Sequence, residues 1–370
     1  MIIFVILLIM FIVIIQILSK EGSLKGIEYD CQFSKKLAEV DEQIELISTI
    51  TNQLRRIRSF IRLQEEFNGD DIQFLSKNIK FHKIGLDGWV YHSTFYLTPR
   101  SKRRRKLKIS FPKRGRYVFR EARLYLGDFL GFESRREDFR VFKEVVVYPK
   151  LIESVHLQTL MGGFLGDISV RRFIMEDPIL TIGTREYTGR EPLKQMSWKH
   201  TARTNQMMGN HQLMVKQFDY TTEMVVTVFL DISKTKGKTT SSEDLENCFS
   251  LARTASQYFE QKKIPFEFVT NAFIAGIQTN RTEQSLGKAH LRLILEKLGR
   301  ATYETTATYE AMIDNFMTSH EKNRSIIIIT PQREVTKQIL AEKLQERTMS
   351  PLTFLYGEDF KLGGIEDDIS

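Results

Sequence analysis

One short segment of the chain contains most of the residue types that binding and catalytic sites use. Residues 183–206 read GTREYTGREPLKQMSWKHTARTNQ and combine Arg, Glu, Tyr, Trp, Lys and His side chains. Charged side chains can pair there while aromatic rings stack, so the segment is typical either of a joint between two domains or of a surface that docks a protein partner. His200 alone could act as a general base, but the segment offers no identifiable nucleophile, and we interpret His200 as a surface residue.

A second group of polar residues follows a continuous apolar run. The run TEMVVTVFL ends at Asp231-Ile232-Ser233-Lys234-Thr235. Oxygen atoms of Asp231, Ser233 and Thr235, at positions i, i+2 and i+4, can converge on a hard divalent cation such as Mg²⁺. The alternative is that Asp231 and Ser233 accept backbone N–H groups of the following turn, without an ion. We favour the metal-free alternative.

The elements around this loop alternate between strands and helices. TEMVVTVFLDIS and RSIIIIT are apolar runs of the kind that a parallel sheet buries on both faces, and EDLENCFSLARTASQYFEQKK has the periodicity of an amphipathic helix. This alternation predicts a doubly wound α/β domain over residues 221–370. Ligands of such sheets bind beyond the carboxyl ends of the strands, where Asp231 is expected.

Residues 19–150 show the alternating pattern of antiparallel strands instead. Segments such as GWVYHSTFYLTP and VFKEVVVYP predict a β-sandwich. Residues 37–67 can also be scored as a helix, but the break at residues 49–52 favours strand, turn, strand. The basic run of residues 102–108 is interpreted as a solvated hairpin loop, with attraction to anionic lipid as the alternative.

The first eighteen residues, MIIFVILLIMFIVIIQIL, contain no charged side chain. A helix of this length spans roughly 27 Å, which predicts a single transmembrane helix. A cleaved signal peptide is the alternative, but no basic residue opens the run and no small-x-small site follows it. Lys20, Lys25, Lys35 and Lys36 follow the run, so the positive-inside rule predicts a cell-membrane protein whose soluble part is cytoplasmic.

Composition limits the function classes further. The 370 residues have a formal net charge of +8, and much of the excess lies in residues 100–123. The basic run of residues 102–108 contains no aromatic side chain, and no reader motif appears, so we expect no nucleic-acid partner. The sequence has no GxxxxGK[ST], HExxH or GxSxG motif, and we predict a protein that is not an enzyme.

Three motifs resemble a bacterial family known as domain of unknown function 58 (DUF58). REYTGREPLKQMSWKHTAR is similar to the family signature, KRGRYVFREARLYLGDFLGF to its strand followed by D-x-x-G, and GKAHLRLILEKLGR to a segment of its C-terminal half. The chain departs from the family in its Arg190-Glu191 turn and in having one apolar span rather than two. The positions that match the signature are Arg185, Glu186, Tyr187, Gly189, Trp198, Lys199, Ala202 and Arg203.

The resemblance implies a von Willebrand factor type A-like domain at the C-terminus. DISKT is similar to the opening of the metal-ion-dependent adhesion site of such domains, in DxSxT form, but Pro331 follows Thr330 where these domains often carry a further Asp. The resemblance also implies a MoxR-type AAA+ ATPase as the protein partner, in chaperone-like or envelope-related assembly.

The sequence thus predicts a fold class of α/β plus all-β, in which an N-terminal membrane helix precedes a β-sandwich and a doubly wound, Rossmann-like type A domain. The expected divisions are a membrane helix at 1–18, the sandwich at 19–150, a family signature segment joining the domains at 151–220, and the type A-like domain at 221–370. The expected function is that of a membrane-anchored, non-catalytic adaptor. A metal-dependent hydrolase centred on Asp231 and a purely structural subunit of a membrane complex are the alternatives.

Overall fold

The computed structural model describes most of the chain, and the chain divides into two compact units. The first unit contains Met1–Lys150, Ile274–Gln278 and Leu295–Thr302, and the second contains Leu151–Phe273, Thr279–Ile294 and Tyr303–Ser370. The described residues are 2–20, 26–68, 72–75, 81–84, 88–127, 134–174, 181–189, 191–208, 212–218, 225–234, 240–318, 324–348 and 351–360.

The first unit consists mainly of strands. Up to Lys150 the elements are α1 (Ile2–Lys20), β1 (Ile27–Phe33), β2 (Leu37–Glu39), β3 (Ile44–Asn52), β4 (Arg58–Asn68), β5 (Gln73–Phe74), β6 (Phe81–Ile84), β7 (Gly88–Leu97), β8 (Lys102–Ser110), β9 (Gly115–Gly127) and β10 (Ser134–Tyr148).

Two sheets of this unit share one hydrophobic core. The strand orders are β1-β3-β8-β5 and β2-β10-β9-β4-β7-β6, and neighbours are antiparallel except for β10 and β2. Strand β3 alternates buried and half-buried side chains along its whole length. Leu46 of β3 and Phe119 of β9 are fully buried in the same apolar cluster. The period-two pattern of the sequence therefore places one face of each sheet against the other.

The structure corrects two local predictions in this unit. Residues 49–52 continue β3 rather than forming a turn. The turn lies later, between β3 and β4. The basic run is strand β8 rather than a hairpin loop, since it pairs with β3. Arg105 of this strand forms an ion pair with Glu65, which is fully buried and also accepts the Tyr29 hydroxyl at 2.6 Å. Pairing satisfies the buried carboxylate and explains why a basic side chain enters the core.

The predicted fold class is wrong, because its first element was a membrane helix. No helix in the described part of the chain is long and apolar enough to cross a membrane. Helix α1 itself occurs, over Ile2–Lys20. The chain is a mixed α/β protein with more residues in strands than in helices.

After Lys150 helices and strands alternate. The elements are α2 (Val155–Ile174), β11 (Thr181–Glu186), α3 (Trp198–Met208), β12 (Met214–Phe218), β13 (Val225–Leu230), α4 (Ser242–Lys262), β14 (Phe266–Thr270), β15 (Ala272–Ile274), β16 (Arg281–Ser285), α5 (Lys288–Arg300), β17 (Ala301–Thr305), α6 (Tyr309–Thr318), β18 (Arg324–Thr330), α7 (Val335–Thr348) and β19 (Leu352–Tyr356).

The second unit is organised around a five-stranded sheet of order β16-β14-β13-β18-β19. Strands β14, β13, β18 and β19 are parallel, and β16 runs antiparallel at one edge. The chain leaves β13 towards β14 on one side and later returns to pair β18 on its other side. The boundary between β13 and β18 is therefore the topological switch point of the sheet, where such sheets bind ligands.

Helices cover the sheet because its central strands are apolar on both faces. Every residue of β13 is buried, and α6 and α7 pack with Phe229, Ile326 and Ile328 in one apolar cluster. Helix α4 begins at a capping box, in which Ser241 accepts the Asp244 N–H and Asp244 accepts the Ser241 N–H. Such a box fixes the first turn of a helix by satisfying two backbone donors.

Candidate functional site

The candidate site lies at the carboxyl edge of the parallel sheet, where three neighbouring strands end. Asp231 follows β13, Asn271 follows β14, and Thr330 is the last residue of β18. Because these strands are parallel and adjacent, their ends meet at one edge. The chain thereby brings together polar residues that are far apart in sequence, at the topological switch point.

The Asp231 carboxylate is fully buried, and both of its oxygens accept hydrogen bonds. Oδ1 accepts from Asn271 Nδ2 at 2.7 Å and from the Ser233 backbone N–H at 2.9 Å. Oδ2 accepts from Lys337 Nζ at 2.6 Å and from Thr330 Oγ1 at 3.1 Å. Four donors around one carboxylate satisfy most of its lone pairs, which a buried charge requires.

Lys337 supplies the cation at this site. It lies in the first turn of α7, is buried, and also contacts Thr330 Oγ1 at 3.1 Å and the Ser233 carbonyl at 3.3 Å. These two groups and Asp231 account for the three donors of the ammonium. The side chain thus joins the beginning of α7 to the ends of β13 and β18.

The proposed metal ligands do not fit a divalent ion in this arrangement. Asp231 Oδ2 contacts an ammonium, and the Ser233 hydroxyl accepts from Asn271 Nδ2 at 2.8 Å. Thr235, the third predicted ligand, lies outside the described residues. Mg²⁺ requires a near-octahedral set of oxygen ligands, and a lysine beside the carboxylate both repels the ion and occupies its ligand. No group of three or more His, Cys, Asp or Glu side chains with metal-site geometry occurs in the described residues.

The metal-free alternative agrees better with the contacts. The Ser233 N–H donates to Asp231 Oδ1, which closes a short turn directly after β13. Asn271 reinforces this turn, since its side-chain oxygen accepts the Ile232 N–H at 3.0 Å. Asp231 and Asn271 therefore hold the loop that follows β13 by hydrogen bonds alone.

Two ionisable groups beneath the edge, Cys248 and Tyr309, have raised pKa values. Burial raises the pKa of the Cys248 thiol well above its usual range, with the charge of Asp231 as the second cause. Burial likewise raises the pKa of Tyr309, again with Asp231 as the next contribution. Nucleophilic cysteines require a lowered pKa. Neither group is therefore prepared to act as a nucleophile or base near neutral pH.

A cavity of about 230 Å³ opens beside the end of β14. Its lining combines apolar Met312 and Phe316 with polar Asn280 and Arg281. Pockets for small-molecule ligands usually measure roughly 300–1,000 Å³. The cavity is therefore slightly smaller than the usual range for small-molecule pockets.

The charged aromatic segment of residues 183–206 includes one strand of a separate two-stranded sheet in the second unit. Strand β11 pairs with β12, and Gly189 occupies the turn that follows with φ of +88°. Glu191 forms an ion pair with Arg185 at 2.6 Å and accepts the Thr188 hydroxyl at 2.8 Å. The Thr188 hydrogen bond, followed by the Arg185 contact, lowers the pKa of Glu191 to about 2.

This segment does not form the buried network that its composition suggested. Trp198, at the start of α3, is 66% exposed. Arg185 pairs with Glu191 rather than with Glu186, and Tyr187 is only half-buried. The side chains of Glu186, Lys199 and Arg203 are exposed. These residues therefore form an accessible surface, and the interpretations of the segment as a joint between domains and as a docking surface stay predictions.

His200 has a structural role within this surface. Its Nδ1 lies 2.9 Å from the hydroxyl of Ser197, the residue that precedes α3. Ser197 is buried, its N–H donates to the Met214 carbonyl at 2.8 Å, and its carbonyl accepts the Thr201 N–H at 2.9 Å. A serine at this position typically caps a helix. The contact thus fixes the beginning of α3.

Sequence reasoning identified Asp231 but missed the two residues that complete its surroundings. Asn271 and Lys337 lie 40 and 106 positions away from it. Asn271 could have been found, because it directly follows the predicted strand IPFEFVT and so had to lie at the same sheet edge. Lys337 gave no such signal, because lysines are mostly exposed and the local sequence does not show that this one is buried.

Comparisons with known proteins do not assign the chain to a family. No protein-family model and no curated protein matches it. A cohesin module of a family 33 glycoside hydrolase from Clostridium perfringens is 12% identical, with a TM-score of 0.24, over 33% of this chain and 96% of its own. The C-terminal domain of Wzt is 11% identical, with a TM-score of 0.25, over 35% and 78%.

A third solved structure is equally distant. The CARDB domain of a protein from Pyrococcus furiosus is 10% identical, with a TM-score of 0.21, over 34% of this chain and 97% of that domain. These low scores carry no inference about fold or function, so a functional conclusion has to rest on the contacts within this chain.

Proposed function

We propose that the second unit is a non-catalytic protein-interaction module. The observation that carries this proposal is the contact between Lys337 and Asp231, at 2.6 Å. The carboxylate at the switch point is the group best placed for chemistry, yet internal donors occupy both of its oxygens. A general base or metal ligand has to present a free oxygen to the reactant or ion. The network instead fixes the loops and helix around the sheet edge, which preorganises a docking surface.

The start of α7 supplies the exposed part of this surface. Val335 is 70% exposed and Ile339 is 48% exposed. They lie four residues apart and therefore share one helix face, whereas Lys337 reaches from the opposite face to Asp231. Arg333 is also exposed, and stacks over Tyr356 with 4.8 Å between its guanidinium and the ring centroid. We call the exposed side chains of Arg333, Val335 and Ile339 the α7 surface.

The composition of the α7 surface supports a protein partner. Aliphatic side chains bordered by an arginine are common at protein interfaces, where a few buried anchors contribute most of the binding energy. The resemblance of the sequence motifs to the DUF58 family supports a MoxR-type AAA+ ATPase as that partner. The adaptor would then couple conformational changes of the ATPase to a client protein.

The metal-dependent hydrolase centred on Asp231 has less support. In such an enzyme Lys337 would have to leave the Asp231 carboxylate before an ion could bind. This movement would leave the buried ammonium of Lys337 without its partner. A purely structural subunit remains the outcome that an absence of ATPase binding would favour.

Binding of the full-length chain to a purified MoxR-type ATPase from the same organism tests the proposal. Val335→Ser/Ile339→Ser should weaken binding by at least about tenfold, because each anchor is expected to contribute more than ~1 kcal/mol. The matched control is Leu286→Ser/Leu293→Ser, which removes two leucines of 41% and 43% exposure. Leu286 directly follows β16, whose last residue pairs with the first residue of β14, so it lies at the amino-terminal edge of the sheet.

Isothermal titration calorimetry gives the dissociation constants. Loss of affinity in the α7 pair with an unchanged control supports the proposal. Equal binding by both double variants would remove the α7 surface from consideration. No binding of the unaltered chain would sink the ATPase assignment.

A further inference from the structure

Two turns of the first unit form a compact basic tip, which we define as residues 53–57 and 98–102. The Arg100 N–H donates to the Leu54 carbonyl at 2.9 Å. Asn52, which is buried, donates from Nδ2 to the carbonyls of Arg56 and Thr98, each at 2.9 Å. These bonds join the turn after β3 to the turn before β8. The two turns therefore form one fixed surface rather than two independent loops.

The basic tip concentrates positive charge that no carboxylate in the described part of the chain neutralises. Its four cationic side chains are exposed, and no ion pair joins them to a carboxylate in the described residues; they are Arg55, Arg56, Arg100 and Lys102. Cations further along β8 behave differently, because Arg105 pairs with Glu65 and Lys106 with Glu45 at 2.8 Å. The Glu28 carboxylate contacts the tip at an uncharged residue, since it accepts from Gln53 Nε2 at 2.6 Å. The tip thus keeps a net positive charge.

An exposed aliphatic side chain lies among these cations. Ile57 is 58% exposed and directly follows Arg56. Arg58, the next residue, is buried, and burial followed by repulsion from Arg56 lowers its pKa. A basic cluster around an apolar residue matches a surface with anionic groups above an apolar layer.

The backbone at Arg100 gives an independent reason to assign a function to the tip. Arg100 has φ of +48°, a left-handed conformation, and follows Pro99 in the turn Thr98-Pro99-Arg100-Ser101. Turns with Pro at the second position and positive φ at the third favour Gly or Asn there. The turn alone would be better formed with one of those residues. A strained non-glycine residue is a reason to look for a function of its side chain.

We propose that the basic tip binds the anionic surface of a lipid bilayer. Its cations would contact phosphate and carboxylate groups of the lipid headgroups, while Ile57 enters the boundary with the acyl chains. Non-specific single-strand nucleic-acid sites combine a basic groove with aromatic side chains on which bases stack. The basic tip contains neither Phe, Tyr nor Trp, so lipid fits it better than nucleic acid. This inference concerns the first unit and is independent of the α7 surface.

Vesicle binding of the full-length chain tests the inference. Binding is measured by co-sedimentation with vesicles of phosphatidylcholine alone and with vesicles containing about one third phosphatidylserine. The quantity of interest is the ratio of the two partition coefficients. Helix α1, whose described side chains are apolar and exposed, is present in every variant, so its contribution cancels when these ratios are compared.

Arg55→Ser/Arg56→Ser should lower this ratio by about 25-fold, since each cation near an anionic surface contributes roughly fivefold. The control is Lys343→Ser/Arg347→Ser, which removes the same charge from exposed positions of α7. The control should keep the unaltered ratio within about twofold, and the ratio of the unaltered chain should fall steeply with salt.

Arg100→Gly separates binding from folding. Glycine adopts the φ of this position without strain, so the variant should be at least as stable as the unaltered chain and still bind about fivefold less well. Equal binding to neutral and anionic vesicles, or equal losses in the tip and control variants, would overturn the inference. Binding to a single-stranded oligonucleotide that is lost in the tip variants, without a preference for anionic vesicles, would overturn it in favour of nucleic acid.

Discussion

The carboxyl edge of the parallel sheet and the charged aromatic segment differ in how their polar groups are used. At the sheet edge, a fully buried Asp231 has partners on both oxygens, including Lys337 at 2.6 Å. In the segment of residues 183–206, Trp198 is 66% exposed and Arg185 pairs with Glu191 at the surface. The first region is a closed network, and the second is an open surface with one local ion pair.

This difference shows that a high density of reactive residue types in sequence does not locate a buried network. The residues of segment 183–206 follow one another in sequence, and they lie on one strand, one turn and the beginning of one helix. The distant partners of Asp231 are Asn271 after β14, Thr330 at the end of β18 and Lys337 in the first turn of α7. They meet because parallel pairing aligns the ends of these strands. Contacts between residues that are far apart in sequence, rather than local composition, decide which charged side chains become buried.

The largest expected effect is that of Lys337→Met. The substitution keeps most of the side-chain volume but leaves the Asp231 carboxylate buried without its cation, so we expect a loss of about 3–5 kcal/mol in the free energy of unfolding. Lys343→Met, at an exposed position of the same helix, should stay within about 0.5 kcal/mol of the unaltered chain. Urea unfolding of the full-length variants measures both values.

Adding Mg²⁺ to the same variants sharpens the comparison. The unaltered chain should show no saturable heat in calorimetric titration, because Lys337 occupies the position of the ion. In Lys337→Met the Asp231 carboxylate has no cation beside it, so Mg²⁺ should bind there and raise the unfolding midpoint. Saturable binding to the unaltered chain that disappears in Asp231→Ala would show that the metal interpretation was right after all.

Asn271→Ala should have an intermediate effect. It removes donors to Asp231 and Ser233 and leaves the buried Ile232 N–H without its acceptor. An unsatisfied buried group costs about 1–3 kcal/mol, and this is the decrease we expect in the free energy of unfolding. Asn315→Ala, at an exposed helix position, is the control. Equal stability of the two variants would mean that the edge network contributes nothing.

Trp198→Ala should have almost no effect on stability. Because the ring is exposed, we expect a change within about 0.5 kcal/mol, in contrast to the ~3–5 kcal/mol that a buried tryptophan would lose. Phe249→Ala, in the buried part of α4, provides the matched aromatic truncation and should lower the unfolding midpoint strongly. A comparable drop for Trp198→Ala would return this residue to the role of a packed joint.

The sequence predicted local elements better than long-range contacts. Strand β13 and helix α4 occur where the apolar run and the helical periodicity placed them, because these signals arise within one element. The turn between β3 and β4 was misplaced, since β-branched Thr and Ile suit a strand as well as its end. Asp231 was found through its position after β13. Lys337 was not, because only strand order brings the start of α7 to that carboxylate.

The smallest expected effect concerns Glu191, which tests whether the segment of residues 183–206 is an open surface. The pKa of this carboxyl is lowered from its ordinary value of 4.5 to about 2, first by the Thr188 hydroxyl and then by Arg185. A lowered pKa means that the folded chain favours the ionised form. The resulting contribution to stability is present above pH ~4.5 and is lost as the pH falls through about 2.

Thr188→Val should move the titration midpoint of Glu191 upward, because it removes the hydroxyl donor and leaves the backbone N–H of residue 188 and the Arg185 contact in place. Carbon-detected NMR of the Glu191 carboxyl measures both midpoints, and Arg185→Gln gives the contribution of the ion pair by the same method. The Arg185 side chain of this pair is 46% exposed and that of Glu191 is 9% exposed. Salt therefore screens the pair from the Arg185 side, and raising the salt concentration should shift the midpoint upward by reducing the Arg185 contribution. A midpoint that both substitutions move but salt leaves unchanged would show that Glu191 is shielded from solvent like Asp231, and the contrast between the two regions would fail.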